Sequence, residues 1–215
     1  MKLLTKIADK YKTDKGTING EGHSYTEFYD KFLNNKRFKN LNILEIGIWD
    51  GASINMWAEY FPESNIYGLD IDLSRSKNKI NSNKNIHIFL CDATNKNDID
   101  KFLNKIGNIK FDIIIDDGSH IPEHQMRSLL IWMNHLKKDG IYILEDLHCN
   151  ICCDNPEASP LKFLCFNQKS DCISKEEYKI LNDKIDTVEM FINFNKRSYP
   201  QFKNRSITSI IKFQD

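Results

Sequence analysis

The most informative segment of this chain is FDIIIDDGSH, residues 111–120. Its isoleucine-rich first half predicts a strand that is buried on both faces, as in parallel sheets covered by helices. The segment then closes with Asp116, Asp117, Gly118, Ser119 and His120. Ligands of open parallel sheets bind beyond the carboxyl ends of the strands, so these polar side chains are well placed for chemistry. The alternative is a simple turn whose aspartates cap the following helix.

Other apolar runs also end at acidic residues. Strands are predicted at residues 42–47, 66–72, 86–91 and 140–144, with helices at 52–60, 74–80 and 98–105 and after Pro122. This alternation predicts an α/β fold with a doubly wound, mostly parallel sheet. Two β-rich runs, residues 188–194 and 206–213, have a connection too short for a crossover helix. We therefore expect them to form an antiparallel pair at one edge, which completes seven strands.

The expected organisation is an N-terminal helical lead-in over residues 1–36 and one domain over residues 37–215. The lead-in has predicted helices at residues 3–11 and 26–33. It can be a lid over the carboxyl edge of the sheet or an extension packed on a helix, and local sequence favours neither. Within the domain, residues 149–185 form an irregular insert followed by two helices, at 160–166 and 175–185.

Composition limits the classes of partner. The chain has 215 residues, which suits one α/β domain, and its 30 basic and 30 acidic side chains give a formal net charge of +0. This balance gives no electrostatic reason to expect binding to nucleic acid or to an anionic membrane. Charged residues precede any apolar run long enough for a signal peptide, and no segment has spanning length, so we expect a cytoplasmic protein. The sequence leaves a homo-oligomer open.

Five of the six cysteines lie between Cys149 and Cys172. Without a secretory signal, reduced thiols are expected rather than a disulfide framework. Zinc is the alternative, because His148, Cys149, Cys152 and Cys153 include one C-x-x-C spacing. There is no second C-x-x-C motif, which favours plain thiols.

Two glycines and an acid point to a nucleotide-like ligand. Gly47 and Gly51 follow the first strand and allow close approach of a ligand to the backbone at a helix N-terminus. Asp70 ends the second strand about 20 residues downstream, where an acid accepts hydrogen bonds from ribose hydroxyls in βαβ units. Asp70 can instead cap the next helix. A dinucleotide dehydrogenase is disfavoured, because residues 47–51 lack the G-x-G-x-x-G pattern.

These successive motifs resemble those of class I S-adenosylmethionine-dependent methyltransferases. More narrowly, the chain resembles the sugar O-methyltransferases of macrolide and other glycoside pathways, over most of residues 8–150. The segments that carry this resemblance are KYKTDK (10–15), HSY (23–25), DDGSH (116–120) and EDLH (145–148).

The resemblance implies S-adenosylmethionine and Mg²⁺ as cofactors and a sugar or nucleotide-activated sugar as substrate. It implies cofactor contacts by six residues of the first four strand ends: Glu45, Gly47, Gly51, Asp70, Asp92 and Asp116. It also implies a metal site at Asp117, Glu145 and Asp146, with His120 as general base beside Asp117. His148 is the reserve base, and His23 can reach in from the lead-in.

This chemistry suits these residue types. The sulfonium is already a good methyl donor, so the protein must mainly align the reactants and provide an ionised nucleophile. Carboxylates hold Mg²⁺, which acidifies a hydroxyl, and an imidazole of ordinary pKa near about 6.5 accepts its proton. Two alternatives stay open: a metal-independent methyltransferase for an amine, a carboxylate or another small metabolite, and a non-catalytic nucleotide-binding module.

Overall fold

The computed structural model describes residues 1–18, 22–147, 149, 159–194 and 205–214. Its framework is a seven-stranded sheet with the strand order β3-β2-β1-β4-β5-β7-β6. The strands are β1 Asn42–Ile46, β2 Asn65–Asp70, β3 Ile86–Leu90, β4 Phe111–Asp116, β5 Leu136–Leu144, β6 Ile185–Phe194 and β7 Arg205–Phe213. Strands β1 to β5 pair in parallel, whereas β7 pairs antiparallel with both β5 and β6. The predicted fold class and its antiparallel edge are confirmed.

Helices cover both faces of the sheet. They are α1 Leu3–Tyr11, α2 Tyr25–Leu33, α3 Ala52–Tyr60, α4 Lys96–Lys105, α5 Pro122–Trp132, α6 Pro160–Phe166 and α7 Lys175–Lys184, with short 3-10 turns at Asn34–Lys36 and Met133–His135. From β1 the chain adds β2 and then β3 toward one edge of the sheet, and it then returns to place β4 on the other side of β1. The strand order therefore reverses between β1 and β4. Such a switch point leaves a crevice at the carboxyl ends of the central strands.

The helix expected over residues 74–80 is wrong, because this connection forms a series of turns. Two local features explain the difference. The carboxylate of Asp72 accepts hydrogen bonds from the backbone N–H and the hydroxyl of Ser74, at 2.8 and 2.9 Å. Asn78 has a φ of 66°, a left-handed conformation that ends a right-handed helix. The β2–β3 connection among the described residues is therefore made of side-chain-supported turns.

Two apolar clusters hold the helices to the sheet. One contains Leu44 and Ile114 of the sheet with Phe102 of α4 and Trp132 of α5. The other contains Ile43, Ile113 and Ile115 of the sheet with residues of α1, α2 and α3. Neighbouring strand residues contribute to opposite clusters, as the two-residue period of a strand requires. Because both faces of the central strands are buried, their sequences are rich in isoleucine.

The N-terminal residues belong to the second cluster. Leu4 and Ile7 of α1 and Phe28 and Tyr29 of α2 are buried there with Trp57 of α3. The helices α1 and α2 therefore pack against the sheet and α3. None of the described helices is long and apolar enough to cross a lipid bilayer.

Candidate active site

Three acidic residues follow the neighbouring strands β4 and β5. Asp117 comes directly after β4, while Glu145 and Asp146 come directly after β5. The ends of these strands are paired in parallel, with Asp116 opposite Leu144. The backbone N–H of Glu145 donates to the carbonyl of Asp116 at 3.0 Å, which continues this pairing into the site. The sheet thus brings Asp117 and Asp146 to the same edge.

Asp117, His120 and Asp146 form a group suited to a metal ion. One ligand atom from each residue lies within 4.8 Å of the others. Nε2 of His120 lies 4.0 Å from Oδ1 of Asp117 and 3.7 Å from Oδ2 of Asp146. The donor types, two carboxylates and one imidazole, suit a divalent cation. The prediction for Asp117 and Asp146 was metal binding, and the structure adds His120 to their group.

Unusual backbone conformations mark the same edge. Trp49, His120 and Asp146 have φ values of 50°, 58° and 55°. Non-glycine residues adopt this left-handed region at a cost of order 1–3 kcal/mol, and such residues cluster at functional sites. In addition, Nδ1 of His120 is buried without a hydrogen-bond partner.

A buried lysine that sequence reasoning missed lies behind these acids. The side chain of Lys15 is 1% exposed, and its ammonium donates to Oδ2 of Asp117 and, at 2.7 Å, to Oε2 of Glu145. It also lies 3.5 Å from Oε1 of Glu45. Burial alone would lower the pKa of Lys15, but the surrounding carboxylates hold it well above its usual range.

One ammonium cannot offset three carboxylates, and their pKa values show the imbalance. Burial is the main cause that raises the pKa of Asp117 to about 7, against the opposing effect of Lys15 and with further repulsion from Asp146. Burial likewise raises the pKa of Glu145 well above its usual range, although Lys15 again opposes the change. Asp117 and Glu145 therefore keep their protons to a higher pH than exposed carboxyl groups do.

The structure does not bring Glu145 into the group of Asp117, His120 and Asp146. Its side chain is buried against Lys15, and its second oxygen, Oε1, is buried without a hydrogen-bond partner. Its predicted role as a metal ligand requires a different arrangement of Lys15. The ammonium of Lys15 bridges Glu145 and Asp117, with a contact to one carboxylate oxygen of each.

The turn after β1 forms the other part of the site. Gly47 has a φ of 81°, and a Cβ there would lie 2.2 Å from the carbonyl oxygen of Asp117. Only glycine therefore allows the loops after β1 and β4 to touch. Gly51, with a φ of 84°, is the N-cap of α3. Gly47 thus lies next to the acidic group, whereas a Cβ at Gly51 would meet the side chain of Ile80.

Asp70 supports this turn from the end of β2. Its Oδ2 accepts hydrogen bonds from the backbone N–H groups of Ile48 and Trp49, at 2.9 and 3.0 Å. The indole of Trp49 is exposed, and the guanidinium of Arg75 lies 3.8 Å from its centroid. Asp70 thereby connects the second strand to the turn in which a ligand is expected.

The remaining predicted cofactor residues differ in exposure. Asp92 is half-buried after β3 and accepts from the N–H and hydroxyl of Thr94, at 2.9 and 2.8 Å. Glu45 is fully buried and accepts from Ser53 and Trp57 of α3. Asp116 is also buried, and accepts from Tyr142 at 2.7 Å. The structure does not bring the carboxylates of Glu45 and Asp116 to the open edge.

The remaining predictions concern the alternative bases, His23 and His148, and the cysteines. His23 contacts Ser206 at 2.7 Å through Nδ1 and Asp14 at 3.6 Å through Nε2, and its ring stacks on Tyr25. His148, Cys152 and Cys153 lie outside the described residues, so the zinc alternative is not addressed. In the described part of the chain, Cys91 and Cys165 are free thiols, and Sγ of Cys172 lies 3.0 Å from the hydroxyl of Ser170.

Sequence relatives come from one class of enzyme. A family model described as a methyltransferase domain matches residues 44–147. Mycinamicin VI 2''-O-methyltransferase of Micromonospora griseorubida is 32% identical over 151 residues, which are 67% of this chain and 36% of that protein. Demethylmacrocin O-methyltransferase of Streptomyces fradiae is 34% identical over 152 residues, 67% of this chain and 36% of that protein. The chain spans just over a third of the length of these relatives.

Solved structures show the same architecture. The MycE methyltransferase in complex with Mg, SAH and mycinamycin VI matches with a TM-score of 0.67 and 26% identity, covering 98% of this chain and 54% of that chain. An O-methyltransferase from Bacillus cereus in complex with SAH matches with a TM-score of 0.58 over 96% of this chain and 90% of that chain. Its identity is 13%, so this second match shows the fold alone.

Proposed function

The chain belongs to the class I S-adenosylmethionine-dependent methyltransferases, and from this we propose that it methylates a hydroxyl group of a sugar or sugar-containing small molecule, with the help of Mg²⁺. The observation that carries the proposal is the contact between the glycine turn and the acidic edge. Gly47 touches the backbone of Asp117, whose carboxylate belongs to the group with His120 and Asp146. A methyl-donor site and a hydroxyl-activating site would therefore adjoin.

The turn after β1 and the ends of β2 and β3 would hold S-adenosylmethionine. This donor supplies a methyl group on a positively charged sulfur, which leaves alignment as the main task of the protein. Gly47 and Gly51 provide the left-handed conformations of this turn, and Asp70 and Asp92 would provide acceptors for ribose and adenine groups. Glu45 and Asp116, being buried, would act by supporting this turn and the β4 loop.

Asp117 and Asp146 would hold the divalent cation. The donor set fits, because carboxylate oxygens of the two residues converge on the same side as Nε2 of His120. When bound, the cation supplies a Lewis acid that lowers the pKa of an acceptor hydroxyl. Lys15 binds Oδ2 of Asp117, so Oδ1 of the same carboxylate would be the oxygen that contacts the cation.

His120 would accept the hydroxyl proton at Nε2. The carboxylates of Asp117 and Asp146, 4.0 and 3.7 Å away, would stabilise the imidazolium that this transfer produces. The same nitrogen is also within the group suited to metal binding. Mg²⁺ affinity distinguishes the two roles of His120. Loss of a metal ligand weakens Mg²⁺ binding, whereas loss of a general base does not.

The sugar substrate class is supported by the relatives and by charge. The named relatives are O-methyltransferases of mycinamicin VI and demethylmacrocin. The formal net charge of +0 gives no general attraction to a polyanion, which fits a small acceptor better than nucleic acid. Because this chain spans just over a third of those relatives, its acceptor has to be found by direct assay.

The experiment is a screen of free and nucleotide-activated sugars for release of S-adenosylhomocysteine, with Mg²⁺ and after exhaustive EDTA treatment. We expect sugar-dependent release that EDTA abolishes and Mg²⁺ restores. His120→Ala should lower turnover about 10²–10⁴-fold at saturating cofactor while Mg²⁺ affinity stays near that of the parent. His87→Ala is the matched control, because His87 stacks on Tyr67 in the sheet. Turnover of His120→Ala within a few-fold of the parent would contradict the base assignment.

One observation favours a second function, metal-independent methyl transfer to an amine or a carboxylate. Lys15 already provides a positive charge that binds Asp117 and Glu145. In that case Asp117 and Glu145 serve the structure through their contacts with Lys15, and the reaction needs no metal ion. Activity that survives EDTA and requires a nitrogen or carboxylate acceptor would favour this function over sugar O-methylation.

A further inference from the structure

In the part of the chain that the structure describes, both oxygens of the Asp117 carboxylate and both oxygens of the Asp146 carboxylate contact other side chains. On Asp117, Oδ2 binds the ammonium of Lys15 and Oδ1 faces Nε2 of His120. On Asp146, Oδ1 accepts from the hydroxyl of Tyr25 at 2.7 Å and Oδ2 faces Nε2 of His120. One oxygen of each carboxylate is therefore held from the inside, which turns the other oxygen toward the imidazole.

We propose that Tyr25 is a positioning residue for the metal site: its hydroxyl fixes the rotation of the Asp146 carboxylate so that Oδ2 faces the ion. This inference rests on the proposed function, in which Asp146 holds a divalent cation. Carboxylates that bind metals are commonly oriented by such hydrogen bonds, and loss of the orienting group typically weakens metal affinity about 10–100-fold. Lys15 orients the carboxylate of Asp117 in the same way, because its ammonium binds Oδ2 of Asp117.

Tyr25 is rigid enough for this role. Its side chain is fully buried at the start of α2. The hydroxyl also lies 3.2 Å from the carbonyl oxygen of Ile207 in β7, so it is placed between that strand and Asp146. The ring stacks on His23 with a centroid distance of 5.0 Å and meets the edge of Phe191. These contacts fix the ring independently of the hydroxyl.

Tyr25 and Lys15 are part of one connected N-terminal unit. The backbone N–H of Thr26 donates to the carbonyl of Lys15 at 3.1 Å, and the N–H of Ser24 donates to the carbonyl of Gly16 at 2.9 Å. The two segments therefore hold the lysine and the tyrosine at a fixed separation. The N-terminal lead-in thus orients the carboxylates of both Asp117 and Asp146.

The test compares Mn²⁺ affinity of the parent, Tyr25→Phe and Tyr60→Phe by electron paramagnetic resonance, without cofactor or acceptor. Tyr60 is the matched control, because it is buried and its hydroxyl lies 3.3 Å from a carboxylate oxygen of Asp30, outside the site. We expect Tyr25→Phe to weaken Mn²⁺ binding about 10–100-fold and Tyr60→Phe to leave it within twofold. Circular dichroism should show both variants folded, because phenylalanine keeps the ring contacts.

Three results separate the proposals. Tyr25→Phe binding Mn²⁺ within twofold of the parent would overturn the positioning role while leaving the metal site intact. Equal weakening in Tyr25→Phe and Tyr60→Phe would also overturn it, because the effect would then come from general loss of stability. A parent that shows no saturable Mn²⁺ binding would remove the metal-assisted function itself, and with it any ion for Tyr25 to serve.

Discussion

Asp70 ends β2 and Asp92 follows β3, whereas Asp117 and Asp146 follow the strands β4 and β5. On the β2–β3 side, the carboxylates accept hydrogen bonds from backbone N–H groups, mainly of the turns that they support. On the β4–β5 side, the carboxylates meet ionisable side chains: Lys15 and Tyr25 from distant parts of the chain, and His120 from the loop after β4. The same residue type at equivalent strand ends thus shapes a turn on one side and a charged centre on the other.

The difference also appears in proton affinity. Hydrogen bonds to Asp92, first among them the backbone N–H of Thr94, lower the pKa of its carboxyl. Burial, by contrast, raises the pKa of Asp117 to about 7. A carboxylate that receives N–H donors is stabilised as the anion, whereas one in a buried, acid-rich site keeps its proton longer. This contrast can be tested by four changes of decreasing expected effect.

Lys15→Met should give the largest effect, because it removes the cation from the β4–β5 side. Loss of one partner from a buried ion cluster typically costs about 3–5 kcal/mol of folding stability. The measurement is urea unfolding followed by circular dichroism. Lys79→Met is the matched control, since Lys79 is exposed and lies 3.4 Å from Asp50. Equal unfolding midpoints for the two variants would show that Lys15 is not needed to compensate the acids.

Gly47→Ala should disturb both sides, because this glycine joins the β1 turn to the β4 loop. The alanine would adopt a left-handed conformation, at about 1–2 kcal/mol, and its Cβ would displace the backbone of Asp117. Gly107→Ala is the matched control, with a φ of 79° and no atom within 4 Å of the added Cβ. We expect S-adenosylhomocysteine and Mn²⁺ affinities to fall in Gly47→Ala only. Unchanged affinities in both variants would contradict the contact.

Asp70→Asn and Asp92→Asn compare two acids of the β2–β3 side. Asp70 accepts from two N–H groups of the glycine turn, and a hydrogen bond to a charged group contributes about 1.5–3 kcal/mol. We therefore expect Asp70→Asn to weaken S-adenosylhomocysteine binding about tenfold or more in calorimetry. Asp92→Asn should have a smaller effect, because asparagine also supports the local turn at Thr94. The reverse order would show that Asp92 is the more important contact.

The stability of Asp117→Asn relative to the wild type should change with pH, with a slope of at most about 1.4 kcal/mol per pH unit. Because the pKa of Asp117 is raised from 3.8 to about 7 in the folded protein, its carboxyl contributes stability below pH 3.8 that is lost as pH rises toward 7. The wild type should therefore lose stability relative to Asp117→Asn between pH 4 and 7, with no further change above that.

Asp92→Asn should show the opposite sign, because the lowered pKa of Asp92 gives the wild type an advantage that disappears as pH falls below about 4. Unfolding midpoints across this range measure both, and matching pH profiles for the two variants would refute the contrast.

Much of the fold and part of the site could be predicted from local patterns. The period of apolar residues and the turn residues predicted all seven strands, and the acids after β4 and β5 predicted that Asp117 and Asp146 lie at one edge. The helix over residues 74–80 failed, because side-chain hydrogen bonds of Asp72 and the left-handed Asn78 override a weak helical pattern. Lys15 carried no local sign of burial, since lysines in an N-terminal segment are usually exposed.

The sequence by itself determined the alternation of strands and helices, the positions of Gly47 and Gly51, and the placement of acids after β2, β3, β4 and β5. These depend on neighbours within a few positions, where chain geometry links residue type to conformation directly. Only the tertiary structure decided which acid meets which partner. Lys15 reaches Asp117 and Glu145 across 102 and 130 positions of the chain, and Tyr25 reaches Asp146 across 121. The charge and orientation of a carboxylate depend on such distant partners and on burial, and neither property belongs to the residue alone.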